Sequence, residues 1–117
     1  MSDWADWGAR REHLGKAIGG YAQLSPATVE SVLALNAAGE KTNHLDAKTR
    51  ELIALAVAAT TRCDGCITIH AAEAVKAGAT RDEIGEALSV AIALNAGAAL
   101  VYSTRVLDAF DAVKKGE

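Results

Sequence analysis

The chain has 117 residues, of which 50% are hydrophobic and 23% are charged, and its formal net charge is −3 at pH 7. This composition is ordinary for one soluble globular domain and argues against a disordered chain. The 12 Lys and Arg residues are scattered, so no nucleic-acid partner is predicted. The N-terminus shows no cationic stretch followed by an apolar run, so we expect no signal peptide and a reducing, cytoplasmic location.

Residues 1–20 are predicted to form an N-terminal helix. Trp4 and Trp7 lie three residues apart in this segment. Their spacing favours packing of the helix onto the body of the protein or a neighbouring subunit over a ligand-binding role. Arg10 and Arg11 are predicted to lie on its solvated face.

Turn residues predict where the next two helices begin. Gly19-Gly20 separates the N-terminal helix from a second helix, for which Ser25-Pro26 supplies the N-cap and the first residue. Gly39 is predicted to end that helix. Asp46 can cap the third helix, which carries Glu51 near its start.

The second half of the chain predicts three more helices. Gly78 is expected to end the helix that bears His70, and Thr80 with Glu83 forms a capping-box pattern for the following helix. Apolar residues at three- and four-residue spacing over 101–110 indicate a last helix. No segment alternates as a strand, so we expect an all-α, single-domain fold of about six helices.

The segment 88–102 is apolar almost all round and is broken only by Ser89, Asn95 and small residues. It is shorter than the run of about twenty apolar residues that spans a bilayer, so no membrane partner is predicted. A helix without a polar face must nevertheless be buried, and a chain of this length has a limited interior. We therefore expect self-association into a homo-oligomer to cover it.

The two cysteines of the chain, Cys63 and Cys66, are followed by His70 at a spacing that puts all three on one helical stripe. Thiolates are favoured in the first turn of a helix by its free N–H groups and its dipole. His70 can take a thiol proton, and Glu51 can orient the imidazole. If Cys66 attacks a peroxide and becomes a sulfenic acid, Cys63 can condense with it into a disulfide.

The same residues leave a zinc site open as an alternative. Structural zinc takes four ligands, and the local run supplies only the two thiols and His70. A fourth ligand could come from Glu51, His44 or His13. Because no second Cys-x-x-Cys pair is present, the interpretation that we favour needs no metal and no other cofactor.

The motif around the cysteines resembles the core of the carboxymuconolactone decarboxylase family, specifically its AhpD-like alkylhydroperoxidase branch. The segments that carry the resemblance are 46–57, 63–70, 77–80 and 91–97. Together they place a family core at 24–110 within a single domain that spans 1–117. The resemblance implies an all-α fold and a homo-oligomer, commonly a trimer or a hexamer.

The resemblance also implies thiol peroxidase or disulfide reductase activity. Cys66 matches the peroxidatic cysteine, Cys63 its partner, and His70 and Glu51 the proton relay. The implied substrate is a hydroperoxide or a small disulfide, and the implied electron donor is a thiol carrier, either lipoyl or thioredoxin-like. The chain departs from the well-studied peroxidase pattern in having Asp64-Gly65 between the cysteines, where that pattern places a histidine.

Two other functions remain open from the sequence. One is a non-redox enzyme of the same family, similar to a lactone decarboxylase, in which Glu51 and His70 act as acid and base on a small lactone or carboxylic acid. The other is a non-catalytic oligomeric or metal-binding module. The cysteine pair favours the thiol branch, because the lactone decarboxylases of the family generally lack it.

Overall fold

A computed structural model describes residues 6–116, which form α-helices joined by short connections. The five helices of this part of the chain are α1 (Trp7–Leu24), α2 (Pro26–Thr42), α3 (Ala47–Thr61), α4 (Asp64–Lys76) and α5 (Arg81–Lys114). No strand occurs within 6–116, and the predicted all-α fold is confirmed. Trp4 lies outside the described residues, whereas Trp7 is the first residue of α1.

Two predicted helix ends are wrong, and both had been placed at glycines. The first helix continues through Gly19-Gly20 to Leu24. The second continues past Gly39 to Thr42 and ends at Asn43, whose φ of 52° is left-handed. A glycine inside a helix costs only about 1 kcal/mol relative to alanine, so favourable neighbours carry the helix past it.

The caps predicted at Asp46 and Thr80 form side-chain hydrogen bonds, whereas Ser25 occupies the N-cap position of α2 without one to the helix backbone. The carboxylate of Asp46 accepts the N–H of Thr49 at 2.8 Å at the start of α3. The side chain and backbone of Thr49 both hydrogen-bond this carboxylate and hold the pKa of Asp46 below its ordinary value. At the start of α5, Thr80 and Glu83 bond each other's backbone N–H groups at 3.1 and 2.8 Å. Gly78 follows the end of α4 with φ +83°, as a glycine after a helix commonly does.

The last two predicted helices are one continuous helix of 34 residues, which is why 6–116 contain five helices and not about six. The stretch between them has no proline, and Asn95 donates its side-chain N–H to the carbonyl of Ala91 at 2.7 Å, within the helix. By length and composition alone, α5 could cross a membrane, and it is the one helix of the described chain that could. The length argument made for 88–102 therefore does not apply to the whole helix.

The helices pack around α3, which contacts both α4 and α5, while α1 packs against α2 and α4. Lys48 of α3 and Glu83 of α5 form an ion pair at 2.8 Å between these two helices.

The interior is small. Among residues 6–116, the buried residues are Leu55, Ala58, Thr68 and Ala74. The radius of gyration is 19.1 Å, well above the roughly 13 Å of a compact chain of this size.

Helix α5 has no buried residue along its length. Large apolar side chains that are 55–75% exposed on this helix are Val90, Ile92, Leu94, Leu100, Val101, Tyr102, Val106, Leu107, Phe110 and Val113. A soluble monomer rarely leaves so much contiguous apolar surface in water. This exposure supports the expectation that copies of the chain associate through α5.

We predict that the protein is an obligate homo-oligomer, and that Leu100→Glu dissociates or unfolds it because a carboxylate would then be buried between subunits. Light scattering after size-exclusion chromatography measures the mass, which should be a multiple of 12.1 kDa for the unmodified chain. Lys115→Glu, beyond the end of α5, adds negative charge as a control and should leave the mass unchanged. A stable, folded monomer of the unmodified chain at micromolar concentration would contradict the prediction.

Candidate functional site

The site is built at the junction of α3 and α4, where the chain reverses within two residues. Arg62 ends α3 in a left-handed conformation with φ 57°. The next residue, Cys63, donates its N–H to the carbonyl of Ala58 at 3.1 Å and serves as the N-cap of α4. Its sulfur accepts the backbone N–H of Cys66 at 3.2 Å. Cys63 therefore precedes the helix and faces the free N–H groups of its first turn, where negative charge is favoured.

The two thiols are free and in contact, with their Sγ atoms 2.9 Å apart. When both thiols are protonated, Cys63 Sγ donates to Cys66 Sγ, and Cys63 also accepts the backbone N–H of Cys66. When Cys63 ionises, its thiolate accepts both the S–H and the backbone N–H of Cys66. Hydrogen bonds from the side chain and the backbone of Cys66 hold the pKa of Cys63 below its ordinary value. The same side-chain contact, together with burial, raises the pKa of Cys66. At rest, negative charge is therefore favoured on Cys63.

Packing of α3 against α4 brings Glu51 and His70 together. Glu51 Oε2 lies 2.7 Å from His70 Nδ1, and the two side chains are only 20% and 25% exposed. A carboxylate acceptor at this distance fixes the Nδ1–H tautomer and leaves Nε2 as the basic nitrogen. The predicted pair is thus in contact. Its role as a proton relay stays a prediction.

Cys66 and His70 line the same pocket, which has a volume of about 270 Å³ and almost entirely apolar walls. The rest of its lining comes from α3 and consists of Ala54, Val57, Ala58 and Thr61. Cys63 is not among the lining residues. Cys66 and His70 therefore lie on a common face of α4, as predicted, and both can contact a small organic molecule in this pocket. Cys63 lies beside them, at the start of the helix.

Sequence reasoning missed the contribution of α1. The prediction that Arg10 and Arg11 lie on a solvated face is confirmed for the exposed Arg11 and wrong for Arg10, which is partly buried in an ion pair with α4. Arg10 Nη1 pairs with Asp64 Oδ2 at 3.0 Å, and Arg11 Nη1 donates to the carbonyl of Thr68 at 3.5 Å. The buried Thr68 hydroxyl donates to the carbonyl of Trp7 at 2.8 Å. These partners are more than fifty residues apart in the chain, so no local pattern could have revealed them.

Within 6–116, no group of three or more His, Cys, Asp or Glu side chains is placed to hold a common metal ion. His13 on α1 and His44 in the connection between α2 and α3, the two histidines that could supply a fourth zinc ligand, belong to no such group within the described residues.

The fold and the site are those of a small helical domain in which a Cys-x-x-Cys pair adjoins a Glu–His pair. The model of the carboxymuconolactone decarboxylase family matches residues 26–109, and the chain belongs to this family. The family named from the sequence is thereby confirmed.

Three proteins illustrate what the chain is similar to. An uncharacterized protein from Haemophilus influenzae is 52% identical over 95% of this chain and 98% of its own length. A second, uncharacterized protein 4 in the cox locus of Paracoccus denitrificans, is 35% identical over 83% of this chain and 87% of its own length. The crystal structure of a protein from Methanobacterium thermoautotrophicum superimposes with a TM-score of 0.66 and 31% identity, covering 74% of this chain and 97% of that one.

We predict that Cys63 ionises below the ordinary thiol pKa of about 8.5 and that Cys66→Ala raises the pKa of Cys63, because the variant loses the S–H donor. At neutral pH the thiolate fraction of Cys63 should then fall. Cys66→Ser keeps a donor at this position and should restore part of the shift. The measurement is the pH dependence of iodoacetamide alkylation at Cys63, resolved by mass spectrometry. Identical titrations of Cys63 in the two variants would contradict the assignment of Cys66 as donor.

Proposed function

We propose that the protein is a thiol-dependent peroxidase or disulfide oxidoreductase of the AhpD-like type, in which the Cys63–Cys66 dithiol is served by a Glu51–His70 proton relay. The observation that carries the proposal is the contact of the two sulfurs at the start of α4, beside a pocket that Cys66 shares with His70. A dithiol with two free, touching sulfurs can be oxidised to a disulfide with little movement of the chain.

The first half of the reaction uses Cys66. His70 Nε2 accepts the Cys66 thiol proton, and Glu51 stabilises the imidazolium through Nδ1–H. The Cys66 thiolate attacks one oxygen of a hydroperoxide, so an S–O bond forms as the O–O bond breaks. The departing alkoxide takes the proton from His70 and leaves as an alcohol, and Cys66 becomes a sulfenic acid. The apolar pocket walls suit the alkyl group of an organic hydroperoxide.

The second half uses Cys63. Its thiolate, favoured at the helix N-terminus, attacks the Cys66 sulfur, so a disulfide forms and hydroxide leaves as water after protonation. A thiol carrier of the lipoyl or thioredoxin-like class then supplies two electrons and two protons and restores both thiols. If the substrate is a small disulfide instead of a peroxide, the reduced dithiol would reduce it by thiol–disulfide exchange, and the protein would be a disulfide reductase. In a cytoplasmic setting the dithiol would rest reduced.

The opposite pKa directions of the two thiols assign them different tasks. Cys63 is the better thiolate at rest, which suits the attack on a sulfur, because thiol–disulfide exchange depends on the thiolate fraction. Cys66 holds its proton more tightly and needs a base, and its pocket contains His70. Because the two sulfurs are in contact, ionisation of one thiol changes the pKa of the other.

A second candidate is a non-redox acid–base enzyme acting on a small lactone or carboxylic acid. It is favoured by one observation: the Glu51–His70 pair at 2.7 Å needs neither thiol to be competent. Thiol titration under native conditions, before and after one equivalent of peroxide, separates the two candidates. The redox function requires the loss of two thiols per chain, whereas the acid–base function leaves both intact.

We predict that Cys66→Ser abolishes peroxide consumption, because the attacking sulfur is gone. Cys63→Ser should allow one oxidation per chain and then stall as a sulfenic acid, since no second sulfur resolves it. Mass spectrometry after one equivalent of peroxide, with dimedone as the trap, identifies the oxidised residue. A sulfenic adduct on Cys63 in the Cys66 variant, formed at the wild-type rate, would show that the two roles are reversed.

We predict that His70→Ala and Glu51→Gln each slow peroxide reduction, by about a hundred- to ten-thousand-fold for the loss of positioned proton transfer at His70 and by less at Glu51. Raising the pH should partly rescue both variants, because hydroxide then generates the thiolate that the relay no longer makes. Stopped-flow kinetics between pH 6 and pH 10 measure both effects. Glu86→Gln removes an exposed carboxylate of α5 as a control and should leave the rate unchanged, and a pH-independent deficit in His70→Ala would argue against the relay.

A further inference from the structure

The first residue of α4, Asp64, lies directly between the two cysteines in the chain and is held by α1. Its carboxylate pairs with Arg10 at 3.0 Å. The Arg10 guanidinium also lies over the ring of Trp7, 4.8 Å from the ring centroid. Arg10 therefore contacts both the aromatic ring of Trp7 and the carboxylate of Asp64, the residue that follows Cys63 in the chain.

Helix α1 also contacts two further residues of α4, Gly65 and Thr68. A Cβ added at Gly65 would lie 2.8 Å from Cδ2 of Leu14. One turn further on, the buried Thr68 bonds the backbone of α1 through its hydroxyl. Three independent contacts, one ionic, one apolar and one hydrogen-bonded, therefore fix α1 against the first turn of α4, where the dithiol is built.

We propose that α1 is part of the dithiol site and that Arg10 is a positioning residue that neutralises Asp64 and so protects the thiolate on Cys63 from the charge of this carboxylate. The inference deepens the proposed thiol chemistry and takes its functional meaning from it. It assigns a purpose to the charged residue between the cysteines, at which the chain departs from the peroxidase pattern.

The electrostatics around the start of α4 support this assignment. The charged and titratable groups there are Asp64 and Cys66 on α4, Arg10, Arg11 and His13 on α1, and Arg62 at the end of α3. Hydrogen bonds from Cys66 lower the pKa of Cys63, and the charge of Asp64 acts in the opposite direction. Arg10 and Asp64 are 34% and 68% exposed, so solvent screens them and the effect of either charge alone on the pKa of Cys63 is expected to be small.

The test compares Arg10→Gln, Asp64→Asn and the double variant by the pH dependence of Cys63 alkylation at low salt. Arg10→Gln leaves the Asp64 charge unopposed and should raise the pKa of Cys63. Asp64→Asn leaves the Arg10 charge alone and should lower the pKa of Cys63. The double variant should return close to the unmodified protein, and Arg10→Lys, which keeps the charge, should stay close to it as well.

The sign of the shift separates an electrostatic role from a purely structural one. If Arg10 only anchors α1, both single variants loosen the same contact and move the titration in the same direction. That result, or an absence of any shift, would overturn the proposal. Lys16→Gln breaks the exposed Lys16–Glu12 pair at 3.7 Å on the same helix and serves as the matched control, with no change expected.

The outcome is independent of whether the protein turns over peroxide. Thiol ionisation is measured without substrate, so a failure of peroxidase activity leaves the result for Arg10 standing, and the reverse also holds. If Arg10→Gln does not fold, as judged by far-ultraviolet circular dichroism, Asp64→Asn decides alone: a lowered pKa of Cys63 supports the proposal, and an unchanged or raised one overturns it. High salt should shrink both shifts, because it screens the exposed charges.

Discussion

The close packing of α3 against α4 is the contact on which the candidate site depends. Two buried alanines, Ala58 on α3 and Ala74 on α4, contribute to this small interior, and such small side chains let helices approach closely. The two-residue connection makes the helices antiparallel neighbours. As a result, Glu51 near the start of α3 lies beside His70 in α4, and the cysteines lie at the turn. A bulkier residue in place of either alanine would push α3 and α4 apart, which would both separate Glu51 from His70 and widen the pocket.

The turn itself organises the chemistry of the thiols. The left-handed backbone at Arg62 ends one helix, and Cys63 begins the next by accepting a backbone N–H with its sulfur. A cysteine used as an N-cap replaces the oxygen of the usual serine, threonine or aspartate by a group that can carry a full negative charge. The fold therefore creates a difference between two chemically identical side chains. One sulfur is held by the helix terminus, and the other faces an apolar pocket with a base.

Local signals in the sequence were sufficient for much of this arrangement. The spacing of the cysteines and His70, and the caps at Asp46 and Thr80, depend on residues within one or two helical turns, where short-range geometry decides the result. Helix lengths were less predictable. A glycine favours a helix end, but the helix-forming neighbours of Gly19-Gly20 outweigh its small cost, and α1 continues through both residues. The pairing of Glu51 with His70 was indicated by their joint spacing with the cysteines and by the family resemblance, since no periodicity links two separate helices.

The packing of Leu14 against Gly65 has a consequence for variation within the motif. A side chain at position 65 would require Leu14 to move, because a Cβ on Gly65 would meet Cδ2 at the end of the Leu14 side chain at 2.8 Å. A histidine at position 65 would require Leu14 to change rotamer, a smaller residue at position 14, or a shift of the first helix. Position 65 of the thiol motif and position 14 of the N-terminal helix, although far apart in the chain, are therefore expected to vary together.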